Sequence, residues 1–309
     1  MITTVTMNAS IDKAYQIKGF LYPGTVMRVS DYRNSAGGKG LNAARVVRLC
    51  GVPVKATGIV GGCNGSYLLN LLSQDGIEHD FFRVKGETRS CINVLGEAGS
   101  STEFLEPGCE VTESEQEDFL EFFRSAIWDS SMILLSGSVP RGLPPDIYGR
   151  LIRIARESNK TVFLDTGGSY LKEGITEKPD FVKPNKKELE ELIGHRLETM
   201  QELIESGSKL HKQNIRYVLV SMGADGALLI CDDGCFHGIS QRIHAANTVG
   251  CGDSMVAAFA AALYRKEELK DCLAYSVAVS AANAMSKKTG HFEQADLERV
   301  LGGVTIKRF

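Results

Sequence analysis

Short β-branched stretches alternate with amphipathic helical ones along most of this chain, and that rhythm permits few folds. Ile2–Met7, Lys55–Val60, Met132–Leu135, Thr161–Leu164, Phe181–Lys183 and Arg216–Val220 read as strands. Helix signals between them include Leu41, Ala44 and Val47 as an apolar stripe, with Arg45 and Arg48 facing out. Ser114–Glu117 predicts a capping box for a helix through Ile127, and Pro144-Pro145 opens another. Strand–helix–strand crossovers cover both faces of a sheet, so the expectation is a three-layer, doubly wound, mostly parallel α/β fold. Ala227–Ile230 and Phe236–Ile239 form a hairpin across Asp233-Gly234, and two Ala-rich helices from about Ser254 and Lys270 complete the chain. Two segments, about 12–34 and 87–108, break the rhythm with antiparallel patterning. They are predicted to meet as a small β-sheet flap inserted into a single domain spanning residues 1–309.

Charge and cysteine usage narrow the function. A net charge of −3 supplies no electrostatic footprint for nucleic acid or an anionic membrane. The longest apolar run, Met255–Tyr264, is too short to span a bilayer, and Met1–Met7 lacks the basic region of a secretory signal. Eight cysteines without a Cys-x-x-Cys pair point to reduced thiols in a cytoplasmic protein, not to disulfides or zinc.

In an open α/β sheet, ligands bind beyond the carboxyl ends of the strands. The polar residues expected on that rim are Asn8–Asp12, Ser136-Gly137-Ser138, Asp165, Lys183-Pro184-Asn185 and Ser221-Met222-Gly223. Gly250-Cys251-Gly252-Asp253 stands just before an Ala-rich helix. Two glycines turn the backbone sharply and expose N–H groups at a helix start, where an anion is favoured. A carboxylate there can take the proton of a hydroxyl approaching a bound phosphate, the minimum apparatus of a phosphotransferase. A loop or cap is the structural alternative for so short a motif.

Ala36-Gly37-Gly38-Lys39-Gly40 resembles a Walker A loop but lacks Ser or Thr after the lysine. The dinucleotide fingerprint also fails, because no third glycine follows Gly252 in register. Gly37 and Gly38 before Lys39 still make an anion site of backbone amides and an ammonium. Arg89 could clamp the same phosphate bidentately, or be a surface charge. Asp12 could accept hydrogen bonds from sugar hydroxyls, or serve a turn. Asn42 leans back toward the Gly-rich loop, as helical side chains do. Asn185 and Glu188, one turn apart, could hold hydrated Mg²⁺ beside a nucleotide, or simply begin an exposed helix.

Asn8–Asp12, Ala36–Asn42, Gly86–Arg89, Ser136–Pro140, Lys183–Leu189, Ser221–Gly226 and Val249–Asp253 follow one another in order. That succession resembles the ribokinase-like (PfkB) carbohydrate kinases, most closely their tagatose-6-phosphate kinase and 1-phosphofructokinase branch. Thr102–Gly108, Gly142–Asp146 and Lys288–His291 lean toward the tagatose-6-phosphate kinases. The resemblance implies ATP-dependent phosphorylation of a hydroxymethyl group on a ketohexose phosphate. It makes Asp253 the catalytic base and Gly250–Gly252 the anion hole. It assigns Asp12, Gly38, Lys39, Asn42, Arg89 and Ser138 to the sugar phosphate. Lys183, Asn185, Glu188, Ser221, Gly223 and Gly226 would serve nucleotide and Mg²⁺, with Asn283 near the adenine. The flap would act as a lid and as the clasp of a homodimer. Cys251 replaces the usual Ala or Ser of the anion hole, and Ala9 replaces the usual proline. Rival readings are a non-catalytic sugar-phosphate sensor, which intact Asp253 and glycines disfavour, and a nicotinamide-dependent dehydrogenase, which the failed fingerprint disfavours.

Overall fold

The structure, a computed structural model, describes residues 1–97 and 100–309. Ala98 and Gly99, inside the second predicted flap segment, lie outside the described residues.

Each long strand alternates its side chains between two cores, which is what makes three layers. On the strands β1 (Ile2–Thr6), β8 (Met132–Ser136) and β9 (Thr161–Asp165), Ile2, Leu134 and Phe163 join one apolar cluster. Val5, Ile133, Leu135, Val162 and Leu164 join the other. A strand buried on both faces reads as continuous β-branched sequence, which is why these segments are legible. Among the described residues the sheet has ten strands, in the order β14-β13-β12-β11-β10-β9-β8-β1-β4-β5. In it, β4 is Val54–Gly61, β5 Glu78–Val84, β10 Phe181–Val182, β11 Tyr217–Ser221, β12 Ala227–Cys231, β13 Gly234–Ile239 and β14 Thr305–Arg308. Pairing is parallel from β5 to β11 and antiparallel from β11 to β14.

One core packs under α1 (Lys39–Leu49), α2 (Gly62–Gln74), α8 (Cys251–Tyr264), α9 (Leu269–Met285) and α10 (Gln294–Leu301). The other packs under α3 (Glu113–Ala126), α4 (Ile147–Glu157), α5 (Gly168–Thr176), α6 (Lys186–Ile193) and α7 (Met200–His211). No described helix is long and apolar enough to cross a membrane.

A second sheet, β3-β2-β6-β7, stands apart. Hairpin β2 (Ser10–Ile17) with β3 (Val29–Gly37) is antiparallel, as is β6 (Arg89–Leu95) with β7 (Ser101–Leu105). The two hairpins join through the parallel pair β2·β6.

Several expectations are corrected. The capping box of α3 is Thr112 with Glu115, two residues before Ser114 and Glu117, because Thr112 has extended backbone and accepts from the Glu115 amide. The edge strand β5 carries no clear sequence signal because Glu78–Val84 mixes polar and apolar residues on both faces, and only Phe81 and Val84 are buried. The Ala-rich helices do not end the chain, since α10 and β14 follow. Ala36 and Gly37 belong to β3, so the predicted loop shrinks to Gly38, whose φ of +116° favours glycine.

Phe163 and Phe181 stack at 4.3 Å between centroids, and Phe259 of α8 lies 5.1 Å from Phe181. This trio fixes the two-residue strand β10 immediately before Lys183. Phe181→Ala should therefore cost about 3–5 kcal/mol in denaturant unfolding, the usual range for a buried aromatic. A loss under about 1 kcal/mol would show that β10 is held by its strand neighbours instead.

Candidate active site

The carboxyl ends of the parallel strands open into a cleft of about 1110 Å³ roofed by the small sheet. Asn8, Asp12, Gly38, Lys39, Asn42, Arg89, Ser138, Lys183, Asn185, Glu188, Ser221, Gly223, Gly250, Gly252 and Asp253 all line it.

At its floor, Gly250 adopts a left-handed conformation (φ +79°) and starts α8. A side chain there would collide with the Thr289 methyl. The Ser254 amide returns to the Gly250 carbonyl at 2.8 Å, whereas no acceptor among the described residues takes the amides of Gly250, Gly252 or Asp253. Such unpaired donors at a helix start form an anion site. The Cys251 amide makes a long contact of 3.4 Å to the Thr248 carbonyl, and its thiol receives Asn283 Nδ2 at 3.4 Å.

Asp253 is only 6% exposed. Burial, reinforced by nearby Asp165, raises its carboxyl to about 6, against the pull of Lys39, Asn42 and Lys183. Asn42 Nδ2 donates to Asp253 Oδ2 at 2.9 Å. Asp165, expected on the rim, instead lies beneath it, 1% exposed, with Lys183 Nζ at 3.2 Å and Lys39 Nζ at 3.8 Å. Burial opposes its charge, but Lys183 and Lys39 outweigh that and hold its carboxyl below the usual range. Asp165 in turn raises the Lys39 ammonium above its usual value, so a charged lysine stands beside the anion site. Lys183 Nζ reaches the Gly252 backbone, where an added methyl would lie 3.3 Å away.

Gly137, just past the end of β8, supports the same floor. Its carbonyl accepts hydroxyl hydrogen bonds from Tyr148 at 3.0 Å and Thr166 at 2.9 Å, which fixes the turn presenting Ser138. Ser138 meets Asn8 Nδ2 at 3.3 Å. Under the small sheet, the Asp12 carboxylate lies against Gly37, where any side chain would displace it. Burial raises the Asp12 carboxyl, opposed by the Ser10 hydroxyl that donates at 2.6 Å and by Arg45 and Arg89.

Other expected residues are placed differently. Gly226 does not line the cleft; its φ of +82° and the Gly238 carbonyl against its Cα make it a glycine of the β11–β12 turn. Asn283 is fully buried and also misses the cleft. Its side chain spans the Val249 carbonyl and the His291 amide, tying α9 to the turn before α8. Arg89 lines the cleft, but its guanidinium donates to the carbonyls of Asn8 and Glu106. Asn185 and Glu188 form a reciprocal capping box at α6, each bond 2.8 Å. The helix-start reading is thus realised through Glu188 Oε2, which leaves Oε1 without a donor among the described residues. No three His, Cys, Asp or Glu side chains among those residues cluster as a metal cage. Glu188 Oε1 is thus a carboxylate oxygen on the cleft that could take a water of a hydrated cation.

Arg45, Cys91, Asn93 and Lys287 also line the cleft outside the sequence motifs, as do Glu103 and Lys288, which fall within Thr102–Gly108 and Lys288–His291 without an assigned role. Strand alternation is the signal that could find Cys91, because it pairs with Asp12 across β2·β6. Lys287 sits in a loop without periodicity and gives no such signal.

Comparison with known proteins agrees with this geometry. The model of the pfkB family carbohydrate kinases matches residues 5–295. Escherichia coli phosphofructokinase-2, in a structure with potassium, is 27% identical over 97% of this chain and 98% of its own, with a TM-score of 0.92. A Thermotoga maritima protein described as a possible 1-phosphofructokinase is 26% identical over 100% of this chain and 99% of its own, with a TM-score of 0.87. Ribokinase from the same organism, at 20% identity over 98% of this chain and 99% of its own and a TM-score of 0.78, shares the fold. With its Gly250–Asp253 turn at the floor of the cleft and the family match running almost from end to end, this chain belongs to the pfkB family of carbohydrate kinases.

Proposed function

We propose that this carbohydrate kinase transfers the γ-phosphoryl group of ATP to the hydroxymethyl group of a ketohexose phosphate, with tagatose 6-phosphate as substrate. The observation that carries the reading is a buried carboxylate, Asp253, beside unpaired amides at the start of α8 and near Lys39 and Lys183. In the proposed reaction the amides of Gly250 and Gly252 bind the terminal phosphate. Lys39 and Lys183 balance charge on the transferred group, and Asp253 takes the proton of the attacking hydroxyl. Glu188 would hold, through water, a magnesium ion bound with the nucleotide, which would supply charge neutralisation at the phosphates. Asp12 orients sugar hydroxyls, and the small sheet acts as a lid that excludes water.

The motifs Thr102–Gly108, Gly142–Asp146 and Lys288–His291 support tagatose 6-phosphate. Similarity to a possible 1-phosphofructokinase favours a second reading, fructose 1-phosphate. The residues at the floor of the cleft do not discriminate the two, since each substrate would present a free hydroxymethyl to Asp253 and carry its phosphate at the other end. Arg89 would have to exchange its carbonyl partners for phosphate on binding.

An ADP-release assay over a panel of ketohexose phosphates tests the reading. Asp253→Asn should lower kcat about 10²–10⁴-fold with sugar affinity retained, the usual worth of a general base. A near-parental kcat would refute the role. Stability gives a check that needs no turnover. The native state binds the Asp253 proton more tightly than the unfolded chain, so this group's contribution is present below pH 3.8 and lost as pH rises through about 6. Asp253→Asn should therefore melt above the parent at pH 8, and the gap should close toward pH 4. Equal melting at both pH values would mean that the carboxyl is not destabilised by burial.

We also propose that the chain is a homodimer through its small sheet. Strand pairing puts Tyr15, Tyr32 and Val94 in one row, and Ile92 and Phe104 in another, on the face opposite Asp12. Tyr32 is 68% exposed and Phe104 54%, an uncovered apolar face that a second copy would bury. Escherichia coli phosphofructokinase-2 is described in a tetrameric inhibited form. Light scattering should give a dimer for the parent and a monomer for Tyr32→Lys; a monomeric parent contradicts the proposal.

A further inference from the structure

The apolar stripe of α1 points Arg45 toward solvent, yet its side chain is only 16% exposed. The guanidinium is spread over three partners. Nε donates to Asp75 Oδ2 at 3.1 Å, at the end of α2. Nη2 donates to the carbonyl of Ala36, near the end of β3 in the small sheet. Nη1 donates to Asn42 Oδ1 at 3.0 Å.

The last bond has a chemical consequence. Arginine has donors and no acceptor, so it can face only the oxygen end of the Asn42 amide. The amide nitrogen must then point the other way, where it donates to Asp253 Oδ2 at 2.9 Å. Arg45 and Asn42 are three residues apart on α1, hence on one helix face, with the buried start of α8 opposite. We propose that Arg45 is a positioning residue for phosphoryl transfer: it locks the Asn42 amide so that a donor, never an acceptor, meets the Asp253 carboxylate. The same guanidinium ties that lock to the small sheet through Ala36. The inference rests on the reading of Asp253 as the base.

Without Arg45, the amide is free to turn its oxygen toward the carboxylate, which repels the charged form. Other groups facing Asp253 are left in place: Lys39 on α1, Asp165 at the end of β9 and Lys183 after β10. Glu188, Lys287, Lys288 and His291 line the same cleft. Asp12, which Arg45 also helps hold down, rises as well when Arg45 is removed, so the Asp253 shift is read as the difference between forms with and without Asp253→Asn.

The test uses Arg45→Met, which keeps an unbranched apolar stem, alone and combined with Asn42→Ala. Each is also made with and without Asp253→Asn. The pH at which the stability difference changes between the forms with and without Asp253→Asn reports the Asp253 titration without any turnover. Arg45→Met should raise that midpoint by about one pH unit, a shift of the size a single lost donor produces. With ATP and tagatose 6-phosphate or fructose 1-phosphate, kcat should fall about tenfold and the acid limb should move with the midpoint, while KM for ATP changes little. In the Asn42→Ala background, adding Arg45→Met should move the midpoint no further. An unmoved midpoint, or an equal shift with and without Asn42, overturns the proposal. A shifted midpoint in a protein that phosphorylates no sugar keeps the Arg45–Asn42–Asp253 linkage and overturns the kinase reading instead.

Discussion

Asp165 gives up solvent almost entirely and is held charged by Lys183 at 3.2 Å and Lys39 at 3.8 Å. Among the described residues neither of its oxygens accepts a hydrogen bond of good geometry, so the arrangement is one of charge and not of directional bonding. A buried carboxylate of this kind is costly unless paired, and removing either lysine would leave it stranded. The pairing gathers two ammonium groups from different parts of the chain, one at the start of α1 and one after β10, onto the floor of one cleft. It also sets the field felt by Asp253, whose carboxyl is raised first by burial and next by Asp165. A carboxyl near 6 is ionised at neutral pH yet far more basic than a solvent-exposed aspartate, as the proposed role of Asp253 as base requires.

The backbone around this floor is equally constrained. The turn at Gly250 must be left-handed to aim unpaired amides into the cleft, and Thr289 leaves no room for a side chain there. The small sheet reaches the same place from above: β2 carries Asp12, β3 ends at Gly37 against that carboxylate, and Arg45 bonds the carbonyl of Ala36. The small sheet, Asp12 and Asp253 are therefore mechanically continuous in this molecule, and a movement of the small sheet has a direct route to Asp253.

Much of this is legible in the sequence where the signals are local. Strands buried on both faces read as β-branched runs, and the Asp233-Gly234 turn announces its hairpin. Asp253 and Lys39 stand out because glycines flank them. Residues whose role depends on tertiary partners mislead. Arg45 resembles an exposed charge because the apolar stripe Leu41, Ala44 and Val47 suggests a single inward face. Its spacing of three from Asn42 is the subtler clue. Gly226 and Asn283 sit among binding motifs in sequence but are used for a turn and an interhelical tie. The strand β5 is silent because an edge strand need bury only part of its surface.

The central claim is that Asp253 meets the alcohol at the terminal phosphate of ATP. A crystal structure with a non-hydrolysable ATP analogue and a ketohexose phosphate tests it most directly. The expected result is a hydroxymethyl oxygen within about 2.6–3.2 Å of an Asp253 carboxylate oxygen, with the terminal phosphate on the Gly250 and Gly252 amides. A sugar whose free hydroxyl faces another residue, with Asp253 still turned only toward Asn42, would contradict it.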